Sequence, residues 1–350
     1  MQSARLPIRW LKVIAGIALG MLVMELVVRQ IWVHERVDVP GYVKMGKPNG
    51  TTVWRLEGSG ISHRDANGYR LGYAPGRPSV LVLGDSFTEA LHVDDDQVYT
   101  FLAQQRLERL GIPLSVVNAG VAGRSAADYV AFADRHKSLV HPVWTVVTIR
   151  ENDLYEDAFV PGKTRFVRGE DGKLTTLIDE PRALPRLRDL IWDNPSVLVR
   201  YTFYRFHKLA EEAEKDPPLF HGAAAEKKGD AHSNEGPEGD EVGPLEEVLD
   251  LLRGAYDGRL TLLNLPYLEV SPPHITPGTT WQKVLAYCAR TGMSCIEPTE
   301  EFLRLARAHK APFGFLNTEF NSGHLNADGH AAVAEALARE LARLKQNGFF

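Results

Sequence analysis

The chain has 350 residues, of which 44% are hydrophobic, and its formal net charge at neutral pH is -5. This length and apolar content suit one large globular domain or two smaller ones. The acidic excess and the lack of a dense Lys/Arg stripe argue against nucleic acid as a main partner.

The first predicted element is a membrane-spanning helix. Basic residues precede an apolar run over Val13–Val28 that only Glu25 interrupts, and the stretch Leu11–Val33 is long enough to cross a bilayer. The positive flank predicts that the amino terminus stays in the cytoplasm. We therefore expect an anchor within residues 1–33. A cleaved signal peptide is the alternative, but the best small-x-small match, Ala18-Leu19-Gly20, lies inside the apolar run.

Residues 34–78 are rich in glycine and proline and show no sustained periodicity. Such a composition predicts a connecting arm that lies on the surface of the main domain. The main domain is then expected to span residues 79–350.

From Ser79 onwards, short apolar runs alternate with segments of helical periodicity. Consecutive aliphatic residues, as in Val80–Leu83, are typical of strands that are buried on both faces of a parallel sheet. Strands that alternate with helices predict a doubly wound α/β fold. We expect strands over residues 80–83, 114–117, 143–149, 260–265 and 293–296, and helices over residues 98–110, 126–138, 197–209, 245–255, 281–291 and 327–344.

Residues 161–245 interrupt this alternation and are predicted to be an insertion. The aromatic residues between Tyr201 and Phe206 are interpreted as packing residues of its helix. Residues 211–244 contain ten acidic residues, three lysines and almost no large apolar side chains. Such a segment buries too little apolar surface to offset the entropy cost of ordering, so we expect disorder there.

The chain has two cysteines, Cys288 and Cys295. Outside the cytoplasm they could form one disulfide between a predicted helix and a predicted strand. Two free, buried thiols are the alternative, and the spacing matches no metal-binding motif.

Polar residues and glycines follow three of the predicted strands. The first strand is followed by Gly84-Asp85-Ser86, the second by Asn118-Ala119-Gly120 and the third by Glu151-Asn152-Asp153, while His324 comes just before the last helix. The carboxyl ends of parallel strands open on one edge of a sheet, so these loops are expected to converge. Serine, histidine and amide donors in one place are the equipment of acyl transfer. The alternative for Ser86 is an ordinary helix cap.

This order of motifs, with Phe87-Thr88 after the serine and Leu325-Asn326 after the histidine, resembles the SGNH or GDSL-type hydrolase superfamily. The similarity covers residues 79–160 and 260–344, and the anchored layout resembles that of membrane-bound members in bacterial envelopes. The resemblance implies a three-layer α/β/α, flavodoxin-like domain with a parallel sheet.

The resemblance also implies roles for individual residues. Ser86 corresponds to the nucleophile and His324 to the base. The amides of Ser86 and Gly120, together with the side chain of Asn152, correspond to the oxyanion hole. No metal or cofactor is implied, and the acidic run Asp94–Asp96 is interpreted as the solvated start of a helix.

Two positions depart from the family pattern. Arg150 stands where the third motif usually has glycine. The family usually has an aspartate three residues before the histidine, or two before it in some envelope members, where this chain has Asn321 and Ser322. The Asn321 carbonyl can still accept a hydrogen bond from the imidazole, so Asn321 is the expected third member of the triad; a serine and histidine acting unaided is the alternative. We expect His330 to pack in the last helix.

These motifs predict a membrane-anchored serine esterase or O-acyltransferase of the bacterial inner membrane, with its domain outside the cytoplasm. An ester substrate is expected, and O-acetyl groups on an envelope glycan are the substrate that the resemblance suggests. The alternatives are a noncatalytic carbohydrate-binding or assembly protein with a degenerate site and a lipase-like enzyme at the membrane surface.

Overall fold

The computed structural model describes residues 8–39, 42–70, 76–154, 157–159, 164–178, 191, 194–215 and 245–350. The chain divides into two compact units. One comprises Met1–Val33 and Pro181–Pro237, and the other comprises His34–Glu180 and Glu238–Phe350.

The described residues form strands and helices with the following bounds. The strands are β1 (Trp32–Val33), β2 (Arg36–Val39), β3 (Tyr42–Gly46), β4 (Thr51–Trp54), β5 (Gly60–His63), β6 (Ser79–Leu83), β7 (Ser115–Asn118), β8 (Trp144–Ile149), β9 (Arg165–Arg168), β10 (Leu174–Leu177), β11 (Leu260–Asn264), β12 (Glu269–Val270), β13 (Pro273–His274) and β14 (Ser294–Ile296). The α-helices are α1 (Ile8–Arg29), α2 (Ser86–Glu89), α3 (Tyr99–Arg109), α4 (Ala126–Ala131), α5 (Ala133–Val140), α6 (Glu151–Leu154), α7 (Val197–Lys215), α8 (Leu245–Ala255), α9 (Thr279–Thr291), α10 (Thr299–Arg307) and α11 (Ala327–Gln346).

The larger unit is built on a five-stranded parallel sheet in the order β14-β11-β8-β6-β7. Every residue of β6, β7, β8 and β11 is buried, which is why these strands read as continuous apolar runs. Leu81 and Leu83 pack on one face with α4, α5, α8 and α9. Val80 and Val82 pack on the other face with α3, α10 and α11. The predicted three-layer α/β fold is therefore confirmed.

The predicted elements of this unit differ from the structure in detail. The single helix expected over residues 126–138 is two helices, α4 and α5, with Phe132 between them. Helix α10 was not predicted from the sequence. Its apolar and charged residues do alternate with helical spacing, and Phe302 and Ala306 are its buried face.

The segment predicted as a connecting arm contains regular structure. β2 pairs with β3, and β4 pairs with β5, both antiparallel. The strands are four or five residues long, and the buried positions of β5 are Gly60 and Ser62. Because small and polar residues occupy these positions, the segment shows no hydrophobic period. It belongs to the same compact unit as the sheet.

The smaller unit contains α1 and α7. The stretch Trp10–Arg29 of α1 is 20 residues long with a mean hydropathy of 2.2, which is long and apolar enough to cross a membrane. A signal sequence would meet the same criteria. Glu25 of α1 accepts hydrogen bonds from the backbone amides of Val197 and Leu198 at the start of α7.

Part of the predicted insertion lies outside the described residues. Helix α7 extends to Lys215 because residues 211–215 are strong helix formers, although disorder was expected from residue 211 onwards. Residues 216–244, to which the same expectation applied, lie outside the described ranges. Cys288 of α9 and Cys295 of β14 form a disulfide with their Cα atoms 6.2 Å apart.

Candidate active site

The serine lies just beyond the carboxyl end of β6, an inner strand of the sheet. Ser86 is the first residue of the short helix α2, and Asp85 caps it by accepting a hydrogen bond from the backbone amide of Phe87 at 2.9 Å. Gly84 allows the close turn, since a Cβ atom there would lie 2.0 Å from Oγ1 of Thr88. The strand end, the glycine and the cap therefore fix the position of the serine locally.

Ser86 and His324 are in hydrogen-bond contact. Nε2 of His324 lies 2.9 Å from Oγ of Ser86. His324 precedes α11 and reaches the serine from the opposite end of the domain sequence. The structure thus brings together the two residues that the motifs predicted as nucleophile and base.

The carboxylate behind this histidine comes from Glu57. Oε2 of Glu57 lies 2.8 Å from Nδ1 of His324, and Oε1 accepts the backbone N–H of His324, also at 2.8 Å. Burial alone would raise the pKa of Glu57, but the hydrogen bonds and charge of His324 and the charge of His92 outweigh it and lower the pKa to about 2. Glu57 is therefore ionised at neutral pH and can hold a proton on Nδ1 of His324.

The turn that carries Glu57 is joined to the loop before His324. The backbone N–H of Gly58 donates to Oδ1 of Asn317 at 2.9 Å, and Nδ2 of Asn317 donates to the carbonyl of Gly58 at 3.0 Å. Gly323 has φ +73°, and a Cβ atom there would lie 2.4 Å from Oε1 of Glu57. A glycine before His324 is therefore required for the carboxylate to approach.

Asn321 does not have the predicted role in this structure. Its Nδ2 donates to the carbonyl of Leu268 at 2.7 Å, and its backbone N–H donates to the carbonyl of Phe313. The residue is in a left-handed conformation with φ +57°, and its side-chain amide is bonded to Leu268 and not to the imidazole that it was expected to orient. Glu57 is at Nδ1 of His324 instead, which corrects the expectation drawn from the motif.

A second histidine covers the first. The ring of His92 stacks on that of His324, with centroids 3.8 Å apart and an angle of 17° between the planes. Nε2 of His92 lies 3.5 Å from Oε2 of Glu57. Burial, and then the charge of His324, lower the pKa of His92 to about 3, so the His92 imidazole is uncharged at neutral pH.

Glu57, His92 and His324 are close enough for their ligand atoms to reach one metal ion, since these atoms lie within 4.8 Å of one another. The lone pairs of imidazole nitrogens lie in the ring planes, however, and the two planes are stacked. An ion bound in one plane would sit out of the other. The arrangement therefore suits proton transfer better than metal binding.

The three predicted oxyanion donors, the amides of Ser86 and Gly120 and the side chain of Asn152, differ in whether they are already hydrogen-bonded. The backbone N–H of Ser86 has no acceptor among the described residues. The backbone N–H of Gly120 donates to Oδ1 of Asn118 at 3.0 Å, so this structure does not offer it to a substrate. Asn152 lies in α6 after β8, but its side chain is outside the described part of the chain. The roles of these donors stay predictions.

One aromatic ring and one guanidinium group lie beside Ser86 and His324. The ring of Phe87 lies against His324, with centroids 4.9 Å apart, and the guanidinium of Arg150 lies 4.9 Å from the centre of the same ring. Arg150 thus lies against Phe87, the residue that follows the serine. His330 is buried in α11 and stacks on Tyr99, as expected for a packing residue.

Several solved structures are similar to this chain. The crystal structure of TesA shares 15% identity with a TM-score of 0.40, and the match covers 76% of this chain and 99% of TesA. A catalytic mutant of Axe2, an acetylxylan esterase from Geobacillus stearothermophilus, shares 15% identity with a TM-score of 0.39 over 77% of this chain and 96% of Axe2. A protein from Desulfitobacterium hafniense assigned to the lipolytic G-D-S-L family shares 12% identity with a TM-score of 0.33 over 75% of this chain and 98% of its own.

The third of these structures is assigned to the G-D-S-L family, which is the family that the motifs resemble. At this identity and these TM-scores they carry no argument about chemistry or substrate, which must come from the site itself. Comparison with family models and with curated proteins finds no match.

Proposed function

We propose that this protein is a serine esterase or O-acyltransferase that works through an acyl-enzyme. The supporting observation is the unbroken line of contacts from Glu57 through His324 to Ser86, with spacings of 2.8 Å and 2.9 Å. A serine hydroxyl on a histidine that is itself held by a carboxylate is the arrangement that activates serine as a nucleophile.

The proposed reaction follows from this line. His324, protonated on Nδ1 and facing Glu57, accepts the Ser86 proton on Nε2 while Oγ attacks the ester carbonyl. The Ser86 amide, and other donors near it, stabilise the negative oxygen that forms. The imidazolium then protonates the leaving alcohol, which departs and leaves the acyl group on the serine. Water or a sugar hydroxyl, deprotonated by His324, then attacks the acyl-enzyme and restores the serine.

The proposed substrate is an O-acetyl group on a glycan outside the cytoplasm. Helix α1 supports a membrane location, because it is long and apolar enough to span a bilayer and basic residues lie at its amino-terminal end. An inner-membrane anchor with the larger unit outside the cytoplasm is part of this proposal. The noncatalytic alternative depended on the missing carboxylate at Asn321, and the contact between Glu57 and His324 removes that reason.

The test is active-site labelling of the full-length protein in detergent with a fluorophosphonate, followed by hydrolysis of p-nitrophenyl acetate. We expect native protein to be labelled and to turn over, and Ser86→Ala to lose both. The matched control is Ser138→Ala, since Ser138 is exposed on α5 and its hydroxyl donates to the carbonyl of Arg135 in the same helix. Equal turnover by native protein and Ser86→Ala would contradict the proposal.

A second measurement addresses the acceptor. Release of acetate from an O-acetylated polysaccharide is compared with transfer of acetyl to an added oligosaccharide. Acetate release without transfer identifies an esterase, whereas acetylated oligosaccharide identifies a transferase. Neither product from a protein that turns over p-nitrophenyl acetate would contradict the glycan substrate while leaving the serine chemistry intact.

A further inference from the structure

His92 is buried beside the reacting groups but has no place in the three-residue line. Its side chain is 5% exposed, and its ring is enclosed by His324 on one face and by Trp54 and Phe315 at centroid distances of 5.8 Å and 6.0 Å. A phenylalanine or leucine would fill such a space without the cost of burying polar nitrogens. The choice of histidine therefore calls for a reason in its polar atoms or its ring electrons.

The surroundings of His92 determine which of its nitrogens carries the proton. A neutral imidazole has one N–H, and Nε2 lies 3.5 Å from Oε2 of Glu57 whereas Nδ1 is buried with no partner among the described residues. A proton on Nδ1 would leave a buried donor unsatisfied and would turn the Nε2 lone pair towards a carboxylate. The Nε2–H form avoids both penalties.

Glu57 is then held by three donors. Nδ1 of His324 lies 2.8 Å from Oε2, the backbone N–H of His324 is bonded to Oε1, and Nε2 of His92 approaches Oε2 at the longer distance of 3.5 Å. Removal of the His92 donor leaves Glu57 with partners from His324 alone. The carboxylate could then rotate with its partner, and the imidazole would lose a fixed reference for its own orientation.

The ring face of His92 has a separate effect. During the proposed reaction His324 becomes an imidazolium, and its positive charge spreads over a ring whose face lies 3.8 Å from that of His92. A neutral aromatic face attracts a cation, so the contact becomes more favourable as the charge develops. An interaction that strengthens in the transition state raises kcat and leaves substrate binding unchanged.

We propose that His92 is a positioning residue for the reaction proposed above: its Nε2–H fixes Glu57, and its ring face supports the charged form of His324. The inference rests on the proposed function, and it extends the line of three groups to four. The charged and titratable groups around His92 are Glu57, His324, Glu89 and Arg70.

The test separates the two contributions with two variants. His92→Phe keeps an aromatic face and removes the donor, whereas His92→Gln keeps a donor and removes the face. We expect each to lower kcat for p-nitrophenyl acetate roughly 10- to 100-fold, a range typical of groups that orient a reacting residue, with KM little changed. The rate of fluorophosphonate labelling at Ser86 should fall by the same factor.

His136→Phe is the matched control. His136 is also buried, its ring lies against Tyr69, and burial likewise lowers its pKa to about 3. Its loss should affect the thermal unfolding midpoint as much as His92→Phe does, while the kcat of the folded protein is unchanged. If His92→Phe and His92→Gln both match His136→Phe in kcat, the inference is overturned.

A readout that needs no turnover keeps this test separate from that of the proposed function. In protein labelled with ¹⁵N-histidine, nuclear magnetic resonance should show His324 with a proton on Nδ1 and a bare Nε2 in the native chain. We expect His92→Phe to reduce the population of that tautomer. An unchanged tautomer would overturn the positioning role even if Ser86 proved to be unreactive, and a changed one would support it.

Discussion

The serine loop and the arm over residues 34–70 contribute to one line of hydrogen bonds by different means. Ser86 is placed by its own neighbours, because Gly84 makes the turn and Asp85 caps the helix that the serine begins. Glu57 is placed by residues more than 250 positions away, since Asn317 bonds the turn after it and His324 bonds its carboxylate. Local geometry thus fixes Ser86, and tertiary contacts fix Glu57.

The arm is tied to the same short helix that carries the serine. Glu89 of α2 accepts hydrogen bonds from Arg64 at 2.7 Å and from Arg36 at 3.1 Å. Arg70 donates to the carbonyls of Glu89 and Val93 at 2.8 Å and 2.7 Å. Arg64, Arg70 and Glu89 are all buried. These contacts therefore fix the position of residues 34–70 relative to helix α2, which begins at Ser86.

The largest expected effect concerns the acid itself. Glu57→Gln keeps the size of the side chain but removes the charge, and it permits the wrong imidazole tautomer. We expect kcat for p-nitrophenyl acetate to fall by about 10⁴-fold, as for the equivalent change in a serine triad. Steady-state kinetics of the purified full-length protein measure this directly.

The matched change in the loop before His324 is Asn321→Asp. A carboxylate there would match the residue usual in the family that the motifs resemble, but Glu57 already contacts Nδ1 of His324. We therefore expect no gain in activity from Asn321→Asp in the native chain. A large gain, together with normal kcat in Glu57→Gln, would show that the loop and not the arm supplies the acid.

The second effect concerns the attachment of the arm. Arg64→Met leaves the buried Glu89 with fewer partners, and breaking a buried ion pair costs about 3–5 kcal/mol in free energy of unfolding. Arg168→Met is the control, because Arg168 pairs with Glu247 in solvent, where such pairs contribute little to stability. Denaturant unfolding should distinguish the two. Equal small losses would mean that the arm is held by something other than these charges.

The smallest effect is a change in acid stability. Burial would raise the pKa of Glu89, but the charges of Arg36 and Arg64 outweigh it and lower the pKa from 4.5 to about 2. A carboxyl whose pKa is lower in the folded state stabilises the fold above its unfolded pKa, and that contribution disappears as the pH falls through its folded pKa. Stability should therefore decline between about pH 4.5 and pH 2.

Glu89→Gln should flatten this decline, with Glu57 responsible for part of what remains, because its pKa is also lowered to about 2. The exposed Glu247→Gln serves as the comparison, and thermal unfolding at a series of pH values is the measurement. A decline of unchanged steepness in Glu89→Gln would contradict the role given to this carboxylate.

The sequence was sufficient to predict the parallel sheet and the two residues, Ser86 and His324, whose side chains are in contact beyond the end of β6. β6, β7, β8 and β11 lie within a residue or two of the predicted strands, because full burial on both faces leaves continuous apolar runs. Ser86 and His324 were predicted because each lies in a motif that adjoins such an element. The disulfide between Cys288 and Cys295 was one of two possibilities that spacing alone left open.

Glu57 and His92 could not be found in the same way. Glu57 lies between two four-residue strands whose buried positions include Gly60 and Ser62, so no hydrophobic period marks its segment. His324, which bonds its carboxylate, and Asn317, which bonds the neighbouring Gly58, are distant in sequence, and only the folded chain brings them within reach. The one local hint was Gly58, whose φ of +67° requires glycine directly after the carboxylate.

The position of Glu57 upstream of the motifs affects how the site can be found in a sequence and where the chain can be cut. Along the chain the three groups run in the order Glu57, Ser86, His324, with Glu57 upstream of the first motif. A fragment beginning at Ser79 would keep every strand of the sheet and every motif, yet it would lack the group behind His324. A search for a carboxylate in the residues just before the histidine would miss the one that contacts His324 in this chain.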